Sequence, residues 1–287
     1  MSQALTSTST SKQGPRLIWS MVRVVLLVAL SCVLLLMIFE ERLIFFPVKY
    51  DGSAYWRLNG SVYEDVHFEA DDGIRLHGWY FEHEEPRAVV LFSHGNAGNV
   101  THRLEMAHRL QRLGLSVFVF DYRGYGRSEG RPHEQGVLAD ARAARKKLAE
   151  LAGVAECEIV QMGRSLGGAV AVDLAARDGA RGLVVESTFS SMPDVAAVHY
   201  PFLPVHRFMR TRLDSISIIG EYRGPVLQSH GDGDGIVPFH LGKRLYEAVD
   251  TDNVFFTQFF SIAGGDHNDP QPDEYYQLLD TFIDRLP

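Results

Sequence analysis

Gly163-Arg164-Ser165-Leu166-Gly167 sets a serine between two glycines. A serine hydroxyl becomes a useful nucleophile only when a neighbouring base takes its proton. Taken alone, the spacing fits an ordinary solvated turn as well as a nucleophile. The flanks separate the two. Residues 157–162, CEIVQM, are a short apolar run with β-branched members, which reads as a buried strand. Residues 166–179 are rich in Ala and Leu at helical spacing and close on Gly179. A serine on such a strand-to-helix turn sits in strained backbone. Glycines flank it because strand and helix pass too close for side chains. The helix start also aims free N–H groups at whatever the serine attacks. This context favours Ser165 as a nucleophile.

The serine needs a base within hydrogen-bond reach, and the base needs an acid that holds its tautomer. Chains built on this turn order the partners serine, acid, histidine. Of the twelve histidines, His267 falls in GGDHNDP, a loop after the final strand and before the final helix. His102 and His108 read as the wet face of a helix, and His67 and His77 as hairpin residues. The acid should follow a strand between Ser165 and His267. HGDGDGIVP offers Asp234, which precedes the turn into the next helix, and Asp232, which also reads as a turn residue bonding backbone. Glu186, after GLVVE, is a third candidate. Asp234 is preferred. The oxyanion of an acyl transfer needs N–H donors. One is the backbone N–H of Leu166, and the loop SHGNAGN, residues 93–99, supplies the other at Asn96. The same loop also reads as a helix cap with Asn99 as N-cap.

These residues need a rigid frame. The chain has 287 residues, 46% of them hydrophobic, enough for one large α/β domain. Strand-like runs (AVVLF, LSVFVF, GLVVE, PVLQSH, VFFTQFF) alternate with helical stretches at residues 99–114, 134–152 and 239–249 and at the C-terminus. DVHFEA and IRLHGWYF flank Asp71-Asp72-Gly73 as a hairpin. Such alternation predicts a mostly parallel sheet covered by helices on both faces. There is no internal repeat. The net charge of −8, with no basic stripe, argues against a nucleic-acid partner. The soluble part contains Cys157 but not Cys32, so no internal disulfide is expected there.

Residues 1–16 are mostly Ser, Thr and Gln and read as a disordered tail. Residues 17–39 are largely apolar, with Arg23 their only charge, and long enough to cross a bilayer core of about 30 Å. A cleaved signal peptide is the competing reading. The apolar run, however, continues from Cys32 to Phe39 past the small-residue site at Ala29-Leu30-Ser31, which favours an uncleaved signal-anchor. Lys12, Arg16 and Arg23 on one side balance Arg42, Lys49 and Arg57 on the other, so charge does not set the orientation. The expected arrangement is the common one, with the short tail inside and the catalytic domain on the non-cytoplasmic side. Residues 40–61 read as an apolar-aromatic connector and 62–287 as the main domain, with 187–224 as a small cap insertion.

SHGNAGN, DYRGYGRSEG, GRSLGGAVA, ESTFSS, HGDGDGIVP and GGDHND together, with RLIFFP after the anchor, resemble the Bem46-like, ABHD13-like branch of the α/β-hydrolases. The resemblance covers nearly all of residues 40–286. It implies Ser165 as nucleophile, Asp234 as acid, His267 as base and oxyanion donors at Asn96 and Leu166. It makes DYRGYGRSEG a structural turn; because side chains and backbone N–H groups supply the chemistry, no metal and no organic cofactor is expected. Asp266, directly before the histidine, departs from the pattern and either raises the basicity of His267 or faces water. The resemblance covers thioesterases, lipases and esterases, and some members are labelled peptidases. The expected activity is hydrolysis of carboxylic esters or thioesters, of acyl lipids or acylated proteins, at a membrane. The alternatives are peptidase-like activity and a catalytically idle interaction module. In the insertion, HYPFLPVHRFM reads equally as an acyl-chain wall or as a lid packed on the core.

Overall fold

Runs of Val, Leu and Phe that bury both faces of a strand build the centre of this molecule. In the computed structural model, which describes residues 13–51, 63–250 and 256–287, they form an eight-stranded sheet. Its members in chain order are β2 (Glu64–Glu69), β3 (Arg75–Phe81), β4 (Ala88–Ser93), β6 (Leu115–Asp121), β7 (Ile159–Arg164), β8 (Gly182–Glu186), β9 (Val226–Gly231) and β10 (Thr257–Ile262). A separate two-stranded pair is made by β1 (Phe46–Pro47) and β5 (Ala97–Gly98). The spatial order of the large sheet is β10-β9-β8-β7-β4-β6-β3-β2. β2 and β3 form the expected antiparallel hairpin, β3 runs antiparallel to β6, and all other pairings are parallel.

Alternate strand residues feed opposite faces. Val89 and Leu91 of β4 pack with α4 (Glu134–Ala152) and α5 (Leu166–Asp178), while Val90 and Phe92 pack with α3 (Leu104–Arg112) and α8 (Asp273–Asp284). The far side of α5 meets α7 (Phe239–Glu247) over Leu183, Val185 and Val226. β4 sits between β6 and β7, and the chain winds outward from it in both senses. The crevice at the carboxyl ends of β4 and β7 is therefore the topological switch point, where open α/β sheets bind ligands.

α1 (Gln13–Ile38) holds the apolar N-terminal run. Its segment Ile18–Ile38 spans 21 residues with mean hydropathy 2.8 and is almost wholly unburied. At about 1.5 Å per residue it matches a bilayer core. Lys12, Arg57 and most of the predicted tail lie outside the described residues. The segment read as a connector is not loose where it is described. A short helix, α2 (Glu40–Ile44), leads into β1, which pairs in parallel with β5. The boundary of the folded unit therefore falls before residue 62 in space. The insertion carries α6 (Met192–His199), started by Ser191, whose hydroxyl accepts from the Asp194 N–H, and then 3-10 turns.

Candidate active site

The carboxyl ends of β4, β7, β8, β9 and β10 meet around Ser165. β7 ends at Arg164, and the serine itself has φ 55° and ψ −121°, a conformation L side chains rarely adopt. The glycines make this turn possible. A Cβ on Gly163 would collide with the Gly167 carbonyl, and one on Gly167 would collide with the backbone of β4 at Ser93. The turn is tied down by Ser165 N–H donating to the Glu186 carbonyl at 2.8 Å and by Thr188 Oγ1 donating to the Ser165 carbonyl at 2.8 Å.

His267 Nε2 lies 3.0 Å from Ser165 Oγ, and its Nδ1 lies 2.7 Å from Asp234 Oδ2. A carboxylate only accepts, so Nδ1 carries the proton and Nε2 is free to take the serine's. Asp234 follows β9 and is buried. Its Oδ1 accepts from the N–H groups of Ile236 and Val237 at 2.9 and 2.7 Å. Burial alone would raise its pKa. Hydrogen bonds from His230 and His267, the charge of His267 and the Val237 N–H outweigh that effect and hold the carboxyl well below the usual range.

The competing acids do other things. Asp232 Oδ1 accepts from Gly264 N–H at 2.6 Å and so links the acid loop to the histidine loop. Glu186 is buried and bonded by Tyr275 Oη at 2.7 Å. Burial pushes its carboxyl up against the opposing charge of Arg164, which makes it a poor partner for an imidazolium. Asp266 neither reaches the imidazole nor simply faces water. Its Oδ1 accepts from the N–H groups of Gly235 and His267 at 3.1 and 2.7 Å, a second clamp between the two loops.

Leu166 is the first residue of α5, so its N–H has no acceptor within the helix. Asn96 lines the same cavity as Ser165. The loop that carries it approaches closely, for a Cβ on Gly95 would sit 3.6 Å from that of Ser165. The cap reading of this loop holds at the same time, since Asn99 Oδ1 accepts from Thr101 N–H at 3.0 Å.

Several supporting residues carried no legible signal in the sequence. Arg164 donates to the carbonyls of His267 and Asp269 at 2.6 and 2.8 Å, steadying the histidine loop. His230 Nε2 donates to the Val237 carbonyl at 2.9 Å and lies 3.3 Å from Asp234 Oδ2. Asn96 Oδ1 accepts from both Tyr125 Oη and Phe46 N–H at 3.0 Å. DYRGYGRSEG is the expected structural turn, with Arg123 paired to buried Asp140 at 2.7 Å, but through Tyr125 it also holds the Asn96 loop. His94, within that loop, is buried. Burial lowers its pKa to about 4, with a further push from the charge of Arg103. Its Nδ1 donates to the Gly95 carbonyl at 2.7 Å.

The cavity over Ser165 has a volume of about 450 Å³, within the range of small-molecule sites. Met192, Val195 and Ala196 of α6, Ile236, and Leu36 and Met37 of α1 line it. Among the described residues, Asp65, His67 and His77 cluster with the residue types of a metal site. Asp65 there already accepts from His77 at 2.7 Å, Trp79 at 3.0 Å and Arg127 at 2.6 Å, so a guanidinium stands where a cation would.

The chain is similar to proteins that share this architecture. A family model described as "Serine aminopeptidase, S33" matches residues 84–218. The α/β hydrolase domain-containing protein WAV2 of Arabidopsis thaliana is 37% identical over 84% of this chain and 85% of its own. The chain belongs to the α/β-hydrolase family. An uncharacterized protein of Mycobacterium tuberculosis is 42% identical to this hydrolase, over 87% of this chain and 88% of that protein. An uncharacterized membrane protein of Saccharomyces cerevisiae is 33% identical, over 78% and 80%. The fold is shared with an esterase of Pyrococcus furiosus at TM-score 0.68 and 18% identity, over 84% of this chain and 98% of that one.

Proposed function

We propose that this hydrolase is a membrane-anchored enzyme of the Bem46-like, ABHD13-like branch that cleaves carboxylic esters or thioesters. Ser165 is the nucleophile, His267 the base and Asp234 the acid that orients it. The observation that carries this reading is the hydrogen-bond path from Ser165 Oγ through both ring nitrogens of His267 to Asp234, opening on an apolar cavity. Ser165 Oγ bonds to the acyl carbon as its proton passes to His267 Nε2. The backbone N–H groups of Asn96 and Leu166 hold the oxyanion. The C–O or C–S bond then breaks and the leaving group takes the proton from Nε2. Water, activated by the same nitrogen, releases the acid and restores the serine.

Residues 17–39 are the anchor, residues 62–287 carry the hydrolase fold with 187–224 as its cap, and the domain lies on the non-cytoplasmic side. The description of the yeast relative as a membrane protein supports the anchor. An apolar wall beside the serine supports an acyl chain as the bound group, from a lipid or an acylated protein. The name of the matching family model favours amide cleavage as a second reading. An aminopeptidase needs a free carboxylate for the substrate's ammonium. Glu40, the acidic residue lining the cavity, already accepts from the N–H groups of Arg210 and Thr211.

The deciding experiment is fluorophosphonate labelling of the full chain, with p-nitrophenyl esters and aminoacyl p-nitroanilides as substrates. Labelling and ester hydrolysis by wild type, both lost in Ser165→Ala, are expected. Folded wild type that does not label would make the fold an idle interaction module. Anilide cleavage without ester cleavage would make it a peptidase.

A further inference from the structure

α1 is apolar on every side, yet its last turns are not equivalent. Val33, Leu36 and Met37 recur at spacings of three and one residues, which places them on one helical face, and Glu40, the first residue of α2, is buried beside them. Val33 and Glu40 are buried and Leu36 and Met37 partly so, while Leu34, Leu35 and Ile38 are exposed. The buried face packs on the insertion, in a cluster with Ala196, Val205, Leu203 and Met209. Glu40 fixes the contact. Its carboxylate accepts from Arg210 N–H at 3.0 Å and Thr211 N–H at 2.6 Å. Leu36 and Met37, with Leu43 and Ile44 of α2, line the same cavity as Ser165.

Resting on the function proposed above, we infer that the end of the membrane helix is itself part of the substrate site. Leu36, Met37, Leu43 and Ile44 form the chain-length-determining wall for a long-chain acyl ester resident in the bilayer. The exposed and cavity-facing sides of α1 are separated by one helix diameter, about 10 Å. An acyl chain lying in lipid beside Leu34 and Leu35 is thus one helix width from the cavity over Ser165. The anchor does more than raise local concentration, because removing it removes a wall.

The test uses the full chain in phosphatidylcholine vesicles, with p-nitrophenyl palmitate and butyrate as probes. Leu36→Trp and Met37→Trp fill the cavity from the anchor side. Each is expected to lower the palmitate-to-butyrate ratio of kcat/KM by about tenfold, the scale on which a pocket discriminates small changes of apolar bulk. Met37→Ala, which adds space rather than removing it, should raise the ratio. Leu27→Trp, exposed and about two turns away from the cavity, should leave it unchanged. Fluorophosphonate labelling and retention in carbonate-washed membranes are read on every variant. Unchanged ratios in the cavity-side variants, with labelling and membrane retention intact, would overturn this inference and leave the proposed function standing. Equal losses for both esters would overturn it too. Wild type that neither labels nor hydrolyses either ester would instead bring down the proposed function, and this inference with it.

Discussion

As a proposed triad, Ser165, His267 and Asp234 should behave as a unit in their mutants. Ser165→Ala and His267→Ala are each expected to abolish ester hydrolysis, with little further loss in the double mutant. Losses that multiply would separate the two residues. Asp234→Asn should lower kcat by about 10⁴-fold with KM little changed, because the amide selects the wrong imidazole tautomer. Glu186→Gln should leave the rate within an order of magnitude and act on stability through its bond with Tyr275. Reversal of those two results would make Glu186 the acid. His94 carries a pH prediction. Its pKa of about 4 in the fold lies below the unfolded value of about 6.5. Between those values the unfolded chain binds a proton that the folded one refuses. Its contribution to stability is therefore complete above pH of about 6.5 and falls by up to about 3 kcal/mol as pH drops to 4. Urea unfolding across that window should be less pH-dependent in His94→Gln. A variant as steep as wild type would place the acid sensitivity elsewhere.

At the level of elements, the site depends on how loops from separate strands are held in register. Asp232 and Asp266 link the acid and histidine loops, Arg164 ties the end of β7 to the histidine loop, and none of the three hydrogen-bonds the imidazole ring. Arg164→Met should lower kcat by about 10²-fold with little change in KM, since small misplacements of a catalytic group cost that much. Slower fluorophosphonate labelling at an unchanged melting temperature would confirm a positioning role. A large loss of melting temperature would make Arg164 structural. The strand and helix assignments were legible because each is local. Residues 134–152 form the expected helix to the residue, and the hairpin turns where Asp-Asp-Gly stands. The helix expected over residues 99–114 instead begins as a 3-10 turn at Val100–Arg103, where Asn99 caps the chain as it leaves the Asn96 loop.

On the scale of the whole molecule, the last turn of α1 and the start of α2 pack on the insertion and belong to one folded unit with it. Glu40 is 4% exposed, and losing its carboxylate leaves the Arg210 and Thr211 N–H groups without their acceptor. Glu40→Ala should cost about 2 kcal/mol, a few degrees in melting temperature, and should reduce long-chain activity more than short. A melting temperature equal to wild type would mean that the end of α1 hangs free of the segment around Arg210 and Thr211.

The glycines around Ser165, the strand–helix alternation and the loop position of His267 were readable from the chain because turn strain and hydrophobic period are properties of neighbouring residues. For the acid, chain order favours Asp234 yet leaves Asp232 and Glu186 open. Each follows a strand, and the choice depends on which carboxylate the fold turns toward His267. The role of Asn96 as a loop held by Tyr125 and Phe46 was invisible, for its partners lie 29 and 50 residues away. The apolar run at residues 17–39 announced a helix able to span a bilayer. A helix apolar all round gives no sign of which face will pack. That face was chosen in three dimensions, where the cap offered Val205 and Met209 to Val33, Leu36 and Met37, and where the backbone at Arg210 and Thr211 needed an acceptor that Glu40 supplied.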